Sequence, residues 1–294
     1  MNIILSGSDG QLGKSIPALN NKKYNIIALN KNEFDITNSE KIKFYFNKYN
    51  PKILINTAAY TNVDKAEEDF KKAYEVNCYG VKNLALNCYL NNCLLIHFST
   101  DYVFDGFKNS PYDETDLPNP LSQYAKSKLA GENEVIKSKC KYLIIRIGWL
   151  YSHHNTENFL NKMINLSKTN SELKIIMDQK GVPTSTLELS RNLWAIIEKL
   201  KDNNEGLISN IYHFSQNGNI ISFYDFANFI FNYMKLKNHK IPLIQPILSR
   251  NYSKKSIRPL FSALNNSKLS EAYNLNIERW DESLEKILNI KFTN

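Results

Sequence analysis

The sequence predicts a doubly wound α/β fold, a parallel sheet covered by helices on both faces, joined to a second, smaller α/β lobe. Three observations carry that expectation. Short runs rich in Ile and Leu alternate with helical patterns through the first half of the 294-residue chain. Those runs are almost continuously apolar, as strands buried on both faces must be. After Trp149 the rhythm loosens, and the strand–helix beat gives way to a mixed order.

Residues 3–5, 24–29, 53–56, 93–98 and 142–147 read as strands. Between them, 12–19, 39–49, 69–91 and 122–138 read as helices, so each strand pair is joined by a right-handed crossover. Beyond Trp149, 158–169 and 186–200 look helical around a strand-like 173–177, and 211–214 fits a return to the sheet. Residues 222–235 form an aromatic-rich helix, 246–259 a loop, and a last helix lies near 280–288. The smaller lobe is expected over the carboxyl edge of the sheet, where ligands bind in open α/β folds.

Gly7, Gly10 and Gly13 follow the first strand at once and open a helix. The first permits the tight turn, the second lets the backbone approach a pyrophosphate, and the third lets helix and strand pack closely. Exposed N–H groups and the helix dipole then hold phosphates. This makes 1–150 a dinucleotide-binding domain of Rossmann type, completed by about 180–216, with 151–179 and 217–294 as the substrate lobe. The second strand ends at Asn30-Lys31, where NAD-preferring sites place an acid on the ribose 2′-hydroxyl. Asn30 is not an acid, and Lys31 either approaches a 2′-phosphate or is a solvated strand end. NADPH is the expected cofactor, with NADH left open.

Tyr124 and Lys128 stand four apart in a helical stretch, so both project from one face. A free tyrosine, with a pKa of about 10, gives up its proton poorly near neutrality. A lysine ammonium beside it stabilises the phenolate and can also hold the nicotinamide ribose. Tyr124 then gives a proton to a carbonyl oxygen as hydride reaches the carbon. Ser99-Thr100-Asp101 lies where a strand ends. A hydroxyl there can bond the substrate carbonyl and the tyrosine oxygen together, unless it merely caps a turn.

Composition excludes other classes. The net charge of +8 comes from Lys scattered through Asn-rich stretches, while Arg is confined to Arg146, Arg191, Arg250, Arg258 and Arg279. Nucleic-acid readers cluster both on one face, so no nucleic-acid partner is expected, although a mild positive field favours an anionic substrate. Cys78, Cys88, Cys93 and Cys140 lack metal-ligand or redox spacing and read as reduced thiols. With neither a targeting pattern nor an apolar run of about 18 residues, the expected location is the cytoplasm, away from membranes.

Several stretches together resemble the dTDP-4-dehydrorhamnose reductase family, an extended branch of the short-chain dehydrogenase/reductases. They are Gly7-Ser8-Asp9-Gly10-Gln11-Leu12-Gly13, Asp35-Ile36-Thr37, the run from Asn56 through Val63-Asp64-Lys65-Ala66-Glu67, and Ser99-Thr100-Asp101-Tyr102-Val103-Phe104. Tyr124 with Lys128, Arg146-Ile147-Gly148-Trp149-Leu150-Tyr151, Asp178-Gln179, Gly181-Val182-Pro183-Thr184 and Arg258-Pro259 extend it over nearly the whole chain. The resemblance implies that Gly7, Gly10, Gln11, Leu12, Asn30, Asp35, Ile36, Ala59, Tyr60, Thr61 and Phe98 line the cofactor. Tyr124 and Lys128 then meet the nicotinamide ribose. Thr100, Asp101 and Trp149 touch the sugar nucleotide, with Trp149 open to a purely core role. Arg258 either meets the diphosphate or is a solvated loop residue.

Departures from the family pattern matter too. Ser15 and Leu187 stand where some members place glutamates of a magnesium site at a dimer interface, and Glu188 is one position off. No such metal is expected, and the chain reads as a monomer or weak homodimer. Ala125 replaces a usual glycine, and Ser152-His153-His154 occupies a loop that usually bears glycine. The resemblance implies NAD(P)H-dependent reduction of dTDP-4-dehydro-L-rhamnose to dTDP-L-rhamnose, a donor for cell-surface polysaccharide. The alternatives are another nucleotide 4-keto-6-deoxysugar and a non-catalytic NADP-binding regulatory subunit.

Overall fold

The computed structural model describes residues 1–20, 23–154, 156–200, 205–253 and 255–292. The chain begins with β1 (Asn2–Ser6), α1 (Gln11–Ala18), β2 (Asn25–Leu29), α2 (Ser39–Tyr49) and β3 (Ile53–Asn56). Two short helices, α3 (Val63–Glu68) and α4 (Phe70–Tyr74), lead through a π turn at Glu75–Gly80 into α5 (Val81–Leu90). Then come β4 (Leu94–Thr100), a 3₁₀ turn at Asp101–Val103, α6 (Gln123–Lys137) and β5 (Tyr142–Ile147). The second half runs β6 (Leu150–Tyr151), α7 (Phe159–Ser167), β7 (Glu172–Ile176), β8 (Lys180–Gly181), β9 (Thr184–Ser185) and α8 (Thr186–Lys199). It ends with β10 (Asn210–Phe214), β11 (Ile221–Ser222), α9 (Phe223–Leu236), β12 (Leu243–Ile247), α10 (Ser267–Tyr273) and α11 (Trp280–Phe292).

Six strands form one sheet in the order β2-β1-β3-β4-β5-β10, and every neighbouring pair is parallel. The chain leaves β1 for β2 on one side and returns to β3 on the other. That reversal opens a crevice at the carboxyl ends of β1 and β3, the place where doubly wound sheets bind ligands.

Alternation along each strand fills both faces. Ile3, Leu5, Ile55, Ile96, Leu143 and Ile145 meet Leu12 and Ile16 of α1, Leu189, Leu193, Ile196 and Ile197 of α8, and Leu269 and Tyr273 of α10. Ile4, Leu54, Leu95 and Ile144 meet Ile42 and Phe46 of α2, Val81, Leu84 and Ala85 of α5, and Val135 of α6. Full burial of each such side chain contributes roughly 1.5–3 kcal/mol. A second core joins Tyr151, Leu160, Met163, Leu173, Ile175, Phe226, Ile230, Trp280, Leu284 and Ile287. It is supported by two-stranded pairings of β7 with β12, β8 with β11 and β6 with β9.

Several elements differ from the sequence reading. The single helix expected over 69–91 is broken by the π turn, and α3 precedes it. Part of the loop expected at 246–259 belongs to β12, which holds Pro246. Proline is admissible there because a two-stranded sheet leaves each strand one free edge. The short α10 was hidden in a polar stretch, and α11 runs on to Phe292.

Candidate active site

At the nucleotide end, backbone crowding requires glycine at two of the three positions. Gly7 has φ +73°, and a Cβ there would lie 2.7 Å from the Ala58 nitrogen, in the loop just beyond β3. A Cβ on Gly13 would lie 2.1 Å from the Gly7 carbonyl oxygen. Gly10 donates its N–H to that same oxygen at 3.1 Å and caps α1 without a side-chain bond. The first-turn N–H groups of α1 are therefore left for an anion. Leu12 is buried beneath them, while Gln11 Oε1 and the Tyr60 hydroxyl are shielded from water and lack a partner within the protein.

The strand end at Asn30 is more acidic than its sequence indicates. The Asn30 side chain accepts from the N–H groups of Asn32 at 2.9 Å and Glu33 at 3.2 Å, and Glu33 Oε2 accepts from Asn30 N–H at 3.0 Å. A turn thus returns a carboxylate to the position where an acid was missing. Asp35 holds Thr37 through both N–H and hydroxyl. Burial pushes its carboxyl up, but the Thr37 bonds, Lys31 and Lys72 together bring it below the usual range. Ile36 packs over Gly80, where a Cβ would lie 2.8 Å from its side chain.

Behind the crevice, polar side chains fix the backbone of Ala59, Tyr60 and Thr61. Asn77, in the π turn, accepts from Tyr60 N–H at 2.8 Å and donates to Tyr60 carbonyl at 3.0 Å and to Ser127 Oγ at 3.0 Å. Asn56 accepts from Ser6 Oγ and Ala58 N–H, and its amide meets His97 Nδ1 at 3.0 Å. That contact assigns the imidazole proton to Nε2. Burial, with Lys128 nearby, holds His97 neutral.

The catalytic candidates meet at the end of β4. Ser122 caps α6, accepting from Ala125 N–H at 3.2 Å. One turn in, Lys128 is buried and donates to the Phe98 carbonyl at 2.6 Å. Burial lowers its pKa to about 8, against the opposing pull of Glu132. The Thr100 hydroxyl stands between Asp101 Oδ1, 3.0 Å away, and the Tyr124 phenol. Burial raises the phenol above its ordinary value, Thr100 lowers it, and Asp101 and Tyr102 raise it further. Tyr124 therefore stays protonated, as a general acid must before it acts.

Asp101 is buried, and a Cβ on Gly148 would lie 2.6 Å from its Oδ2. Burial pushes its carboxyl up to about 7, with the Ser262 and Thr100 hydroxyls pulling the other way. Ser262 also accepts from Trp149 Nε1 at 3.2 Å, so Trp149 and Asp101 both lie near one hydroxyl, while Asp101 Oδ2 lacks a hydrogen-bond partner within the protein. Trp149 has φ +49°, an uncommon conformation for a bulky residue, and its ring stacks on Phe223 at 3.8 Å. Arg258 is no solvated loop residue. It donates to Asp64 Oδ2 at 3.1 Å and bonds Tyr102, while its buried Nε is unpartnered within the protein.

The structure thus brings Thr100, Asp101, Tyr124, Lys128, Phe98 and Trp149 to one end of the crevice. The glycine turn with Ala59, Tyr60 and Thr61 forms its middle, and Asn30, Asp35 and Ile36 follow the outer strand β2. The sequence reading did not single out Asn77, His97 or Ser262. A π turn leaves no sequence signal, and lone polar residues in apolar strands look like core. Tyr102 and Asn56 lay inside the quoted family stretches, which was a usable sign. Ser15 donates to Thr186 Oγ1 at 2.8 Å, and the Glu188 carboxylate is engaged by Arg191, Asn192 and Glu278 N–H.

Residues 1–292 match the family described as the RmlD substrate binding domain. A dTDP-4-dehydrorhamnose reductase of Aggregatibacter actinomycetemcomitans is 35% identical over 289 residues, covering 97% of both chains. A dTDP-4-keto-6-deoxy-D-glucose reductase of Streptomyces niveus is 29% identical, with 96% of this chain and 94% of that one covered. The crystal structure of dTDP-4-dehydrorhamnose reductase from Bacillus anthracis in complex with NADP is 33% identical and superposes with a TM-score of 0.89, covering 97% of this chain and 98% of that one. The chain therefore belongs to the dTDP-4-dehydrorhamnose reductase family, within the extended short-chain dehydrogenase/reductases, and is an oxidoreductase of that family.

Proposed function

We propose that this oxidoreductase converts dTDP-4-dehydro-L-rhamnose to dTDP-L-rhamnose for cell-surface polysaccharide synthesis, with NADPH as the preferred cofactor. The observation that carries the reading is the Thr100–Tyr124–Lys128 group at the carboxyl end of β4, on the same edge of the parallel sheet as the glycine turn. The residues fit a dinucleotide. Glycine at 7 and 13 lets the turn pack tightly against Ala58 and itself, α1 opens at Gly10 without a side-chain cap, and the orphaned Gln11 Oε1 and Tyr60 hydroxyl await a polar partner. When bound, the nicotinamide supplies the hydride that reduces the ketone carbon.

The chain's own residues do the rest. Tyr124 transfers its phenolic proton to the sugar O4, so the C=O bond becomes C–H and O–H, and solvent returns the proton to the phenolate. Lys128 stabilises that phenolate, and Thr100 orients the carbonyl. Asp101, near the hydroxyl that accepts from Trp149, places the sugar ring, and Arg258 faces the diphosphate. The Asn30–Glu33 turn also accepts a ribose hydroxyl, which supports use of NADH as a second cofactor. No helix among the described residues is long and apolar enough to cross a membrane. We place the enzyme in the cytoplasm, as a monomer or weak homodimer.

The test is NADPH oxidation with purified dTDP-4-dehydro-L-rhamnose. Wild-type turnover is expected, falling at least about a hundredfold in Tyr124→Phe, the scale of general-acid loss. Turnover confined to another nucleotide 4-keto-6-deoxysugar would correct the substrate. NADPH binding without turnover on any 4-ketosugar would replace the enzyme by a regulatory subunit.

A further inference from the structure

Behind Lys128, on the side away from Tyr124, lies a buried ion pair that the catalytic scheme does not use. Tyr124, Lys128 and Glu132 are spaced at i, i+4 and i+8 along α6, so they share one helix face. Arg146 on β5 meets Glu132 with Nε at 3.0 Å and Nη2 at 2.7 Å, and both side chains are almost wholly buried. The Arg146 guanidinium lies over the Phe104 ring at 5.2 Å. Its Nη1 points at His213 Nε2, 3.4 Å away, while His213 Nδ1 faces the Tyr112 carbonyl at 2.9 Å. That arrangement makes His213 neutral with its proton on Nδ1, so the guanidinium's positive charge is balanced by Glu132 and not by the imidazole.

Burying an ion pair beside a buried ammonium is costly, and a packed apolar pair would join α6 to the sheet at least as well. We infer that the Glu132–Arg146 pair is a positioning device for Lys128. Glu132, one turn along the same helix face, keeps the Lys128 ammonium charged where it donates to the Phe98 carbonyl, and Arg146 limits how strongly it does so. The inference rests on the reductase reading above.

The groups around Lys128 are known from each element. Its own helix gives Glu132 and β4 gives His97, while Asp101 and Tyr102 at the end of β4 act on Tyr124. Arg146 and His213 come from β5 and β10 through Glu132. On the helices packed against the other flank, Cys78, Lys82 and Glu134 act on one another.

The experiment compares Glu132→Gln, Arg146→Met and the charge-neutral double variant Glu132→Gln/Arg146→Met with wild type. The alkaline limb of kcat/KM, expected to follow loss of the Lys128 proton, is measured for each. NADPH binding against pH, followed by nicotinamide fluorescence, gives a second readout that needs no sugar. Glu132→Gln should move the limb to lower pH by about one unit, the scale of a nearby opposite charge. Arg146→Met should move it upward, and the double variant should move it down by less than Glu132→Gln. Opposite directions cannot come from simple loss of structure. Limbs that stay in place, or shift alike in both single variants, would overturn the inference. If the single variants do not fold, an unshifted double variant overturns it alone. Shifts in NADPH binding without turnover on any 4-ketosugar would support the pair's role while defeating the reductase reading.

Discussion

Asp101 shows how one residue couples the site to stability. Its carboxyl is buried between Gly148 and the hydroxyls of Thr100 and Ser262, and burial lifts its pKa to about 7. In the unfolded chain it returns to about 3.9. An acid whose pKa is raised on folding binds its proton more tightly in the native state. Its stabilising contribution is therefore complete below about pH 3.9 and is lost as the pH rises through about 7. Asp101→Asn, which cannot ionise, should flatten that dependence. Relative to wild type, the variant's melting temperature should rise progressively between pH 4 and pH 7.5 in paired thermal melts. A constant difference across that range would show that Asp101 does not carry a shifted proton. The identity of this residue was legible in the sequence, since it ends a strand beside Thr100. Its environment was not, because Gly148 and Ser262 reach it from 47 and 161 positions away, distances in sequence that no local pattern spans.

The same limit governs the elements. The strands of the sheet and the glycine turn follow from local apolar runs and spacing, and the six-stranded parallel sheet agrees with that reading. The helix expected over 69–91 fails because its apolar spacing is compatible with an unbroken helix, whereas tertiary contacts at Asn77 favour a π turn. A Cβ on Gly131 of α6 would lie 2.0 Å from the Asn77 carbonyl oxygen, so α6 can approach this turn only at a glycine. The widened turn then aims the Asn77 amide at both backbone groups of Tyr60. Asn77→Ala leaves that N–H and C=O without their partner. Each group orphaned by full burial costs about 1–3 kcal/mol; Tyr60 is half-buried, so the variant should lose about 2 kcal/mol in urea unfolding. NADPH should also bind more weakly, because Tyr60 borders the cofactor crevice. Unchanged affinity in a destabilised variant would confine Asn77 to a structural role.

At the scale of the molecule, a late segment of the chain ties its first half to its second. Ser262 N–H donates to the Lys180 carbonyl at 2.9 Å, and Tyr112 N–H donates to the Ala263 carbonyl at 2.9 Å, so residues 256–265 run along the seam between the two cores. The sequence announced a smaller lobe and marked Arg258-Pro259, but not this strap, since its polar and apolar residues follow no period and are bonded to partners far away. Asp64, at the start of α3, fastens the strap from the sheet side. Its Oδ1 accepts from Ser256 N–H at 3.2 Å and Ser256 Oγ at 2.7 Å, and its Oδ2 accepts from Arg258. Lys255 and Glu68 form a second ion pair one helical turn further on. The Asp64–Arg258 pair is partly exposed, at 38% and 19% of the side chains, so its energetic value is on the scale of roughly 1 kcal/mol. Its consequence should therefore fall on positioning rather than on folding. Asp64→Ala is expected to raise KM for the sugar nucleotide about fivefold, the factor that roughly 1 kcal/mol represents. NADPH affinity and the melting temperature should change little, because neither the glycine turn nor either core is touched. A matching loss of NADPH binding would show that the strap closes on the cofactor instead. A variant with wild-type KM would show that Arg258 reaches its place without Asp64.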